Sequence, residues 1–134
     1  MPQGKLPNKQ CTNLVLDPEF SSIEINLIRD GAKRWEDTLG VAFTISYVPS
    51  HTCSNLSILR SFQIEPLVRQ IETETKNGIL GHWVGAGDSS YIVIVVDKIA
   101  STQKFENVIT HELGHSLGFS HDDQMEYPIM RSKL

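Results

Sequence analysis

The chain has 134 residues, 40% hydrophobic and 21% charged, which is the size of one domain and an ordinary composition for a soluble globular protein. A net charge of -4 and a pI near 5.7, with no basic cluster longer than Lys33-Arg34, exclude a surface built for nucleic acid and make peptides the better partners. No run reaches the ~18 apolar residues of a membrane span and the opening MPQGKLPNKQ has no secretory h-region, so a soluble chain that does not enter a membrane is expected, with secreted and cytoplasmic compartments both open.

Residues 1–13 are polar, carry two prolines and a glycine, and are expected to form a flexible arm leading into a first strand at Leu14-Val15-Leu16. After the Asp17-Pro18 turn signal, Ser21 or Ser22 can cap a helix over 22–39. Its apolar residues Ile25, Ile28, Ala32, Trp35 and Leu39 recur at three- and four-residue steps, and Gly40 stops it. Residues 41–48, 55–62 and 91–96 read as strands from their β-branched and aromatic content, the last as a continuous apolar run buried on both faces. Between them, 64–76 stays open between helix and loop, while Asn77-Gly78 is a hairpin-turn signal leading into a strand at 79–84. Val108, Ile109, Leu113 and Leu117 then fall at helical spacing, predicting a helix from Ser101 or Thr102 to Gly118. Two cysteines, Cys11 and Cys53, allow one bridge at most and form no CxxC pair. No linker divides the chain, so a single domain over 1–134 is expected.

The last helix carries HELGH. His111 and His115 are four apart, so their imidazoles stand one turn above the other and can grip one ion. Glu112 is rotated by about 100° from His111, near enough to reach a metal-bound water without being a ligand. Gly118 can take a left-handed conformation that turns the chain sharply and returns His121 to the same ion. Three neutral imidazoles with a fourth position left to water are the donor set of a catalytic rather than a structural zinc. Zinc lowers the pKa of its water to about 7, and Glu112 beside it is placed to act as general base. One catalytic Zn2+, held by His111, His115 and His121, is the cofactor expected.

HELGHSLGFSH at 111–121 resembles the extended zinc motif of the metzincin peptidases, in particular the matrixin branch, and the likeness covers most of residues 14–130. Arg34-Trp35-Glu36 is similar to the matrixin first helix, Val41-Phe43-Ile45 and Asn55-Leu56-Ser57-Ile58 to its next strands, and Leu80-Gly81-His82-Trp83 to its upper-rim strand. The resemblance implies an α+β fold of the metzincin-like zincin type, in a minimal matrixin-like form: a twisted mixed sheet, a backing helix, and an active-site helix below. It also implies a substrate lying antiparallel to the rim strand.

A Met-turn methionine beneath the histidines is implied as well. Met130, nine residues after His121, has the reach, whereas Met125, four after, is too close. Residues 122–129 would line the pocket next to the zinc, with Tyr127 a wall or packing residue rather than a ligand. Only four residues follow Met130, where the family has a helix, so the chain is either a minimal form or a shortened one. The family's structural zinc is not expected, because His51 is followed by Thr52-Cys53 instead of the usual pattern, and His82 is then an ordinary strand histidine. The family's sheet places its first and third strands side by side, which would bring Cys11 and Cys53 together. Free thiols, or Cys11 as a latency ligand, remain alternatives to that bridge. The function implied is a zinc-dependent endopeptidase acting as a monomer on peptide or protein substrates. The alternative is a metal-stabilised interaction module, virion-associated for example, with little or no peptidase activity.

Overall fold

A computed structural model describes residues 11–132. One five-stranded sheet organises them. It consists of β1 (Cys11–Leu16), β2 (Ala42–Ser46), β3 (Ser54–Ser61), β4 (Gly81–Val84) and β5 (Tyr91–Val95), in the order β2-β1-β3-β5-β4. The first four positions of that order are mutually parallel and β4 alone is antiparallel, at an edge. Three helices complete the fold: α1 (Ser22–Leu39), α2 (Pro66–Thr75) and α3 (Thr102–Ser116).

Local chemistry explains the element ends. Ser21 caps α1 through a capping box, its hydroxyl accepting from the Glu24 N–H while the Glu24 carboxylate accepts from the Ser21 N–H, and Gly40 ends the helix at φ 73°. Ser101 caps α3 by accepting from the Lys104 N–H. Ile28, Ala32 and Trp35 bury one stripe of α1, and Ile25 and Leu39 extend it as partly buried neighbours. Gly31 lets α1 approach α3 closely, since a methyl there would lie 2.8 Å from Ile109 Cγ2, and the Trp35 indole N–H donates to the Thr110 carbonyl at 2.8 Å.

Both helices cover one face of the sheet, against Leu14, Leu16, Leu56, Ile58, Ile92 and Ile94. The opposite face of β5 is covered by α2, through Val68, Ile71, Val93 and Val95. Strand β5 is thus buried on both faces, as its apolar run predicted.

Several expectations need correction, and one open segment is decided. Strand β1 starts at Cys11, so 11–13 belong to the sheet, while residues 1–10 of the expected arm lie outside the described residues. The undecided 64–76 is helical over Pro66–Thr75, with proline in the first turn, where its missing N–H costs nothing. Asn77-Gly78 joins that helix to β4 rather than two strands to each other: Lys76 adopts φ 59° as the helix cap and the Asn77 amide donates to the Thr75 carbonyl. The reversal between β4 and β5 is made instead by residues 85–90, with Gly87 at φ 59°. Strand β4 is shorter than expected, and β2 stops at Ser46, whose hydroxyl donates to the Val48 carbonyl in a turn. Among the described residues no helix is long and apolar enough to cross a membrane.

Cys11 and Cys53 form a disulfide, with α-carbons 4.9 Å apart. The parallel register explains it: Thr12 pairs with Ser54, which sets the two cysteines opposite each other one step earlier. Of the three states the sequence left open, the structure adopts the bridge.

Candidate metal centre and active site

Helix α3 runs through its two histidines and ends at once. The Phe119 N–H donates to the Gly114 carbonyl, the Gly118 N–H donates to the His115 carbonyl, and Gly118 sits at φ 100°, the paired-bond helix stop that needs a left-handed residue. The chain then enters a 3-10 turn, His121–Met125, fixed by a second capping box. There Asp123 accepts from the Ser120 N–H at 2.7 Å and the Ser120 hydroxyl accepts from the Asp122 N–H. This turn brings His121 back beside the helix, as the position of Gly118 predicted.

His111, His115 and His121 converge, with ligand atoms all within 4.8 Å of one another. The Nε2 atoms of His111 and His115 are 3.1 Å apart, and those of His111 and His121 are 3.3 Å apart. These contacts are not ordinary hydrogen bonds. His111 Nδ1 lies 2.7 Å from the Ile129 carbonyl and His115 Nδ1 lies 2.9 Å from the Phe119 carbonyl; a carbonyl only accepts, so each Nδ1 carries the proton and each Nε2 presents a lone pair. Lone pairs aimed at one point call for a cation. Two imidazole nitrogens on a tetrahedral zinc stand about 3.3 Å apart, given Zn–N bonds of about 2.0–2.1 Å, so donor type, tautomer and spacing all fit that ion.

Electrostatics favours the same state. Burial holds His115 down to about 4, with His111 and His121 adding to the shift and the Phe119 carbonyl opposing it. Burial also lowers His111, against the Ile129 carbonyl. Both shifts favour the neutral ring that a metal ligand must present. Glu112 is only 7% exposed, and burial pushes its carboxyl up to about 8, with the Trp83 backbone N–H pulling the other way.

That N–H belongs to β4. Leu80 accepts from the Val95 N–H, so Leu80 and Val95 form a hydrogen-bonded pair, and Gly81 and Trp83, in the alternate positions, turn their main-chain groups to the open edge. Gly81 also sets the spacing of strand and helix, because a methyl there would lie 2.8 Å from Val108 Cγ1 and 3.2 Å from Glu112 Cγ.

Met130 is fully buried and lies against α3 between the two helical histidines: a methyl on Gly114 would meet its Sδ at 2.3 Å. Met125 is 93% exposed, so Met130 is the methionine the turn uses. Tyr127 packs on Trp35 and Phe119, with ring centroids at 5.5 and 4.7 Å, and Phe119 stacks on Trp35 at 5.1 Å. This aromatic stack anchors the residue whose carbonyl orients His115. The Tyr127 phenol is raised above its usual range chiefly by its bond to the Glu126 side chain. His82 lies on β4, half-buried, its pKa lowered by burial. Ile129 and Phe119 went unforeseen because they act through main-chain carbonyls that any residue supplies. A cavity of about 440 Å3 beside α2, lined by Glu72 and Lys76 among others, shares no residue with the histidine cluster.

The family described as dual-action HEIGH metallo-peptidase matches residues 35–130, well over half of the chain. Among solved structures, myroilysin is 18% identical with a TM-score of 0.54. High choriolytic enzyme 1, a hatching enzyme zinc-protease from the medaka fish Oryzias latipes, is 14% identical with a TM-score of 0.51. Each likeness covers 92% of this chain but 54% of the other, so the chain spans about half the length of the structures it matches. At such identities the likeness bears on the fold alone, the mixed α+β arrangement that the sequence led one to expect. No curated protein matches the sequence.

Proposed function

Because the chain belongs to the dual-action HEIGH metallopeptidase family, we propose that it is a zinc-dependent endopeptidase in which His111, His115 and His121 hold the metal and Glu112 is the general base. The observation that carries this reading is the convergence of Nε2 lone pairs whose Nδ1 protons are held by the carbonyls of Ile129 and Phe119. Bound zinc supplies Lewis acidity that polarises the scissile carbonyl and lowers the pKa of water to about 7.

The protein's own groups do the rest. Gly81 offers its main-chain N–H and carbonyl, and Trp83 its carbonyl, to an extended substrate running antiparallel to β4, while the Trp83 N–H faces Glu112. Glu112, next to the ligand His111 and below that edge, takes the proton from the attacking water and delivers it to the nitrogen of the leaving amine. Its burial keeps bulk water from competing for that proton.

The test is cleavage of an unfolded protein by the zinc-loaded chain, with and without chelator. Cleavage should need zinc, and Glu112→Ala should lower it by at least ~10²–10⁴ while one zinc per chain is retained. His115→Ala should lose the metal. Zinc bound at full stoichiometry with no cleavage of any peptide would leave the metal-stabilised module as the reading.

A further inference from the structure

The three histidine rings are not held alike. The Nδ1 atoms of His111 and His115 are fixed by the carbonyls of Ile129 and Phe119, at 2.7 and 2.9 Å. His121 has no such carbonyl among the described residues. Its one contact of hydrogen-bond length runs from Nε2 to His111 Nε2, and its ring stands 5.2 and 5.1 Å from the centroids of the other two imidazoles. It is also the exposed member of the three, whereas His111 is buried and His115 half-buried.

A ring with no partner of its own is aimed by its backbone. That backbone is set by the 3-10 turn His121–Met125, and the turn hangs on Asp123. The Asp123 carboxylate accepts from the Ser120 N–H at 2.7 Å, and the Asp123 N–H donates to the Ser120 carbonyl at 3.0 Å, so the two residues clamp His121 and Asp122 between them. The Asp123 carbonyl accepts from the Tyr127 N–H at 2.8 Å, and the Tyr127 carbonyl accepts from the Met130 N–H at 2.8 Å. The same residue therefore ties the turn to the segment that supplies the Ile129 carbonyl. Of the bonds made by residue 123, only the one to the carboxylate depends on which side chain stands there.

We propose that Asp123 is a positioning residue for the metal centre, holding His121 at the third ligand position through the backbone in place of a hydrogen bond to the ring, and that the turn it clamps is the releasable side of the site. The proposal rests on the reading above that His111, His115 and His121 hold zinc. Residues that orient a metal ligand contribute about 10–100-fold to metal affinity, and a single carboxylate acting on one of three ligands belongs at the lower end of that range.

The experiment measures metal binding apart from turnover. Zinc dissociation constants are determined by competition with a chromophoric chelator for the unmutated chain, Asp123→Ala, Asp123→Asn, His121→Ala and the Asp123→Ala, His121→Ala double variant. Asp123→Ala should weaken zinc binding about tenfold and speed release to the chelator by a similar factor. Asp123→Asn, whose side-chain carbonyl still accepts from the Ser120 N–H, should restore most of the affinity. In the His121→Ala background Asp123→Ala should change nothing, because the ligand it aims is gone. Cobalt-loaded Asp123→Ala should move toward the absorption spectrum of cobalt-loaded His121→Ala. Unchanged zinc affinity in Asp123→Ala, whatever its urea midpoint, or an equal loss with and without His121, overturns the proposal and leaves the endopeptidase reading in place. An unmutated chain that binds no zinc, or a His115→Ala variant that binds it fully, removes that reading and the proposal with it.

Discussion

Glu112 and the histidines pull the metal-free protein in opposite directions along the pH scale. Glu112 is raised from 4.5 to about 8, so between those values the folded protein keeps a proton that the unfolded chain has lost, and stability falls as pH rises. His115 is lowered from 6.5 to about 4, and His111 is lowered too; below 6.5 the unfolded chain binds protons that the folded protein refuses, so stability falls as pH drops toward 4. A dication at the three nitrogens relieves the first cost and out-competes protons for the second. Glu112→Gln should therefore stabilise the metal-free protein by roughly 3 kcal/mol at pH 7, a gain that shrinks to nothing near pH 4.5. Urea unfolding in chelator at several pH values measures it, and a gain that does not vary with pH would refute the burial argument. The convergence of the three histidines was readable from spacing alone, because a helix places positions four apart on one face and a glycine three residues later turns the chain. The carbonyls of Ile129 and Phe119 were not, since main-chain acceptors leave no mark in sequence.

At the level of elements, two glycines besides Gly31 decide how closely α3 meets its neighbours, and nothing in their local sequence announces it. In Gly114→Ala the new methyl would sit 2.3 Å from Met130 Sδ and 2.8 Å from Trp35 Cζ2, inside a fully packed core. Helix propensity favours alanine by about 1 kcal/mol, but overpacking of this severity costs about 1–3, so the variant should be less stable than the parent and bind zinc more weakly. A higher melting temperature for the variant would mean that Met130 yields easily. Gly81→Ala presses on Val108, on Glu112 Cγ and on the Val93 carbonyl, so it should separate β4 from α3. Turnover should fall at least tenfold while zinc content stays at one per chain, because displacing a reacting group by a fraction of an ångström is enough. Unchanged kcat would show that the strand moves as a unit with its base. Asn77-Gly78 teaches a related point: the dipeptide reports that the chain reverses there, not whether a helix or a strand comes before it. Helix α2 was hidden for a similar reason, being short and buried only at Val68 and Ile71.

On the scale of the whole molecule, the pairing of β1 with β3 was accessible only through the family likeness, because periodicity identifies strands but not their neighbours. The disulfide follows from that pairing and ties β1 to β3 across a separation of 42 residues. The Cys11→Ser, Cys53→Ser double variant should lose about 2–4 kcal/mol of unfolding free energy and keep its zinc site, whose ligands lie on α3 and the turn after it. Equal urea midpoints for the two proteins would place the stability of the sheet in its core alone. The edge of that sheet carries a consequence of a different kind. Gly81 and Trp83 are two residues apart, about 6.8 Å in an extended strand, and no other residue of β4 turns its main chain outward. A partner chain can match that short ruler only where it is itself stretched, since a helix has already spent its amides internally. Under the proposed reading, the molecule would first sense slackness in its target, sparing well-folded proteins whatever their composition and finding frayed ends, loops and denatured chains.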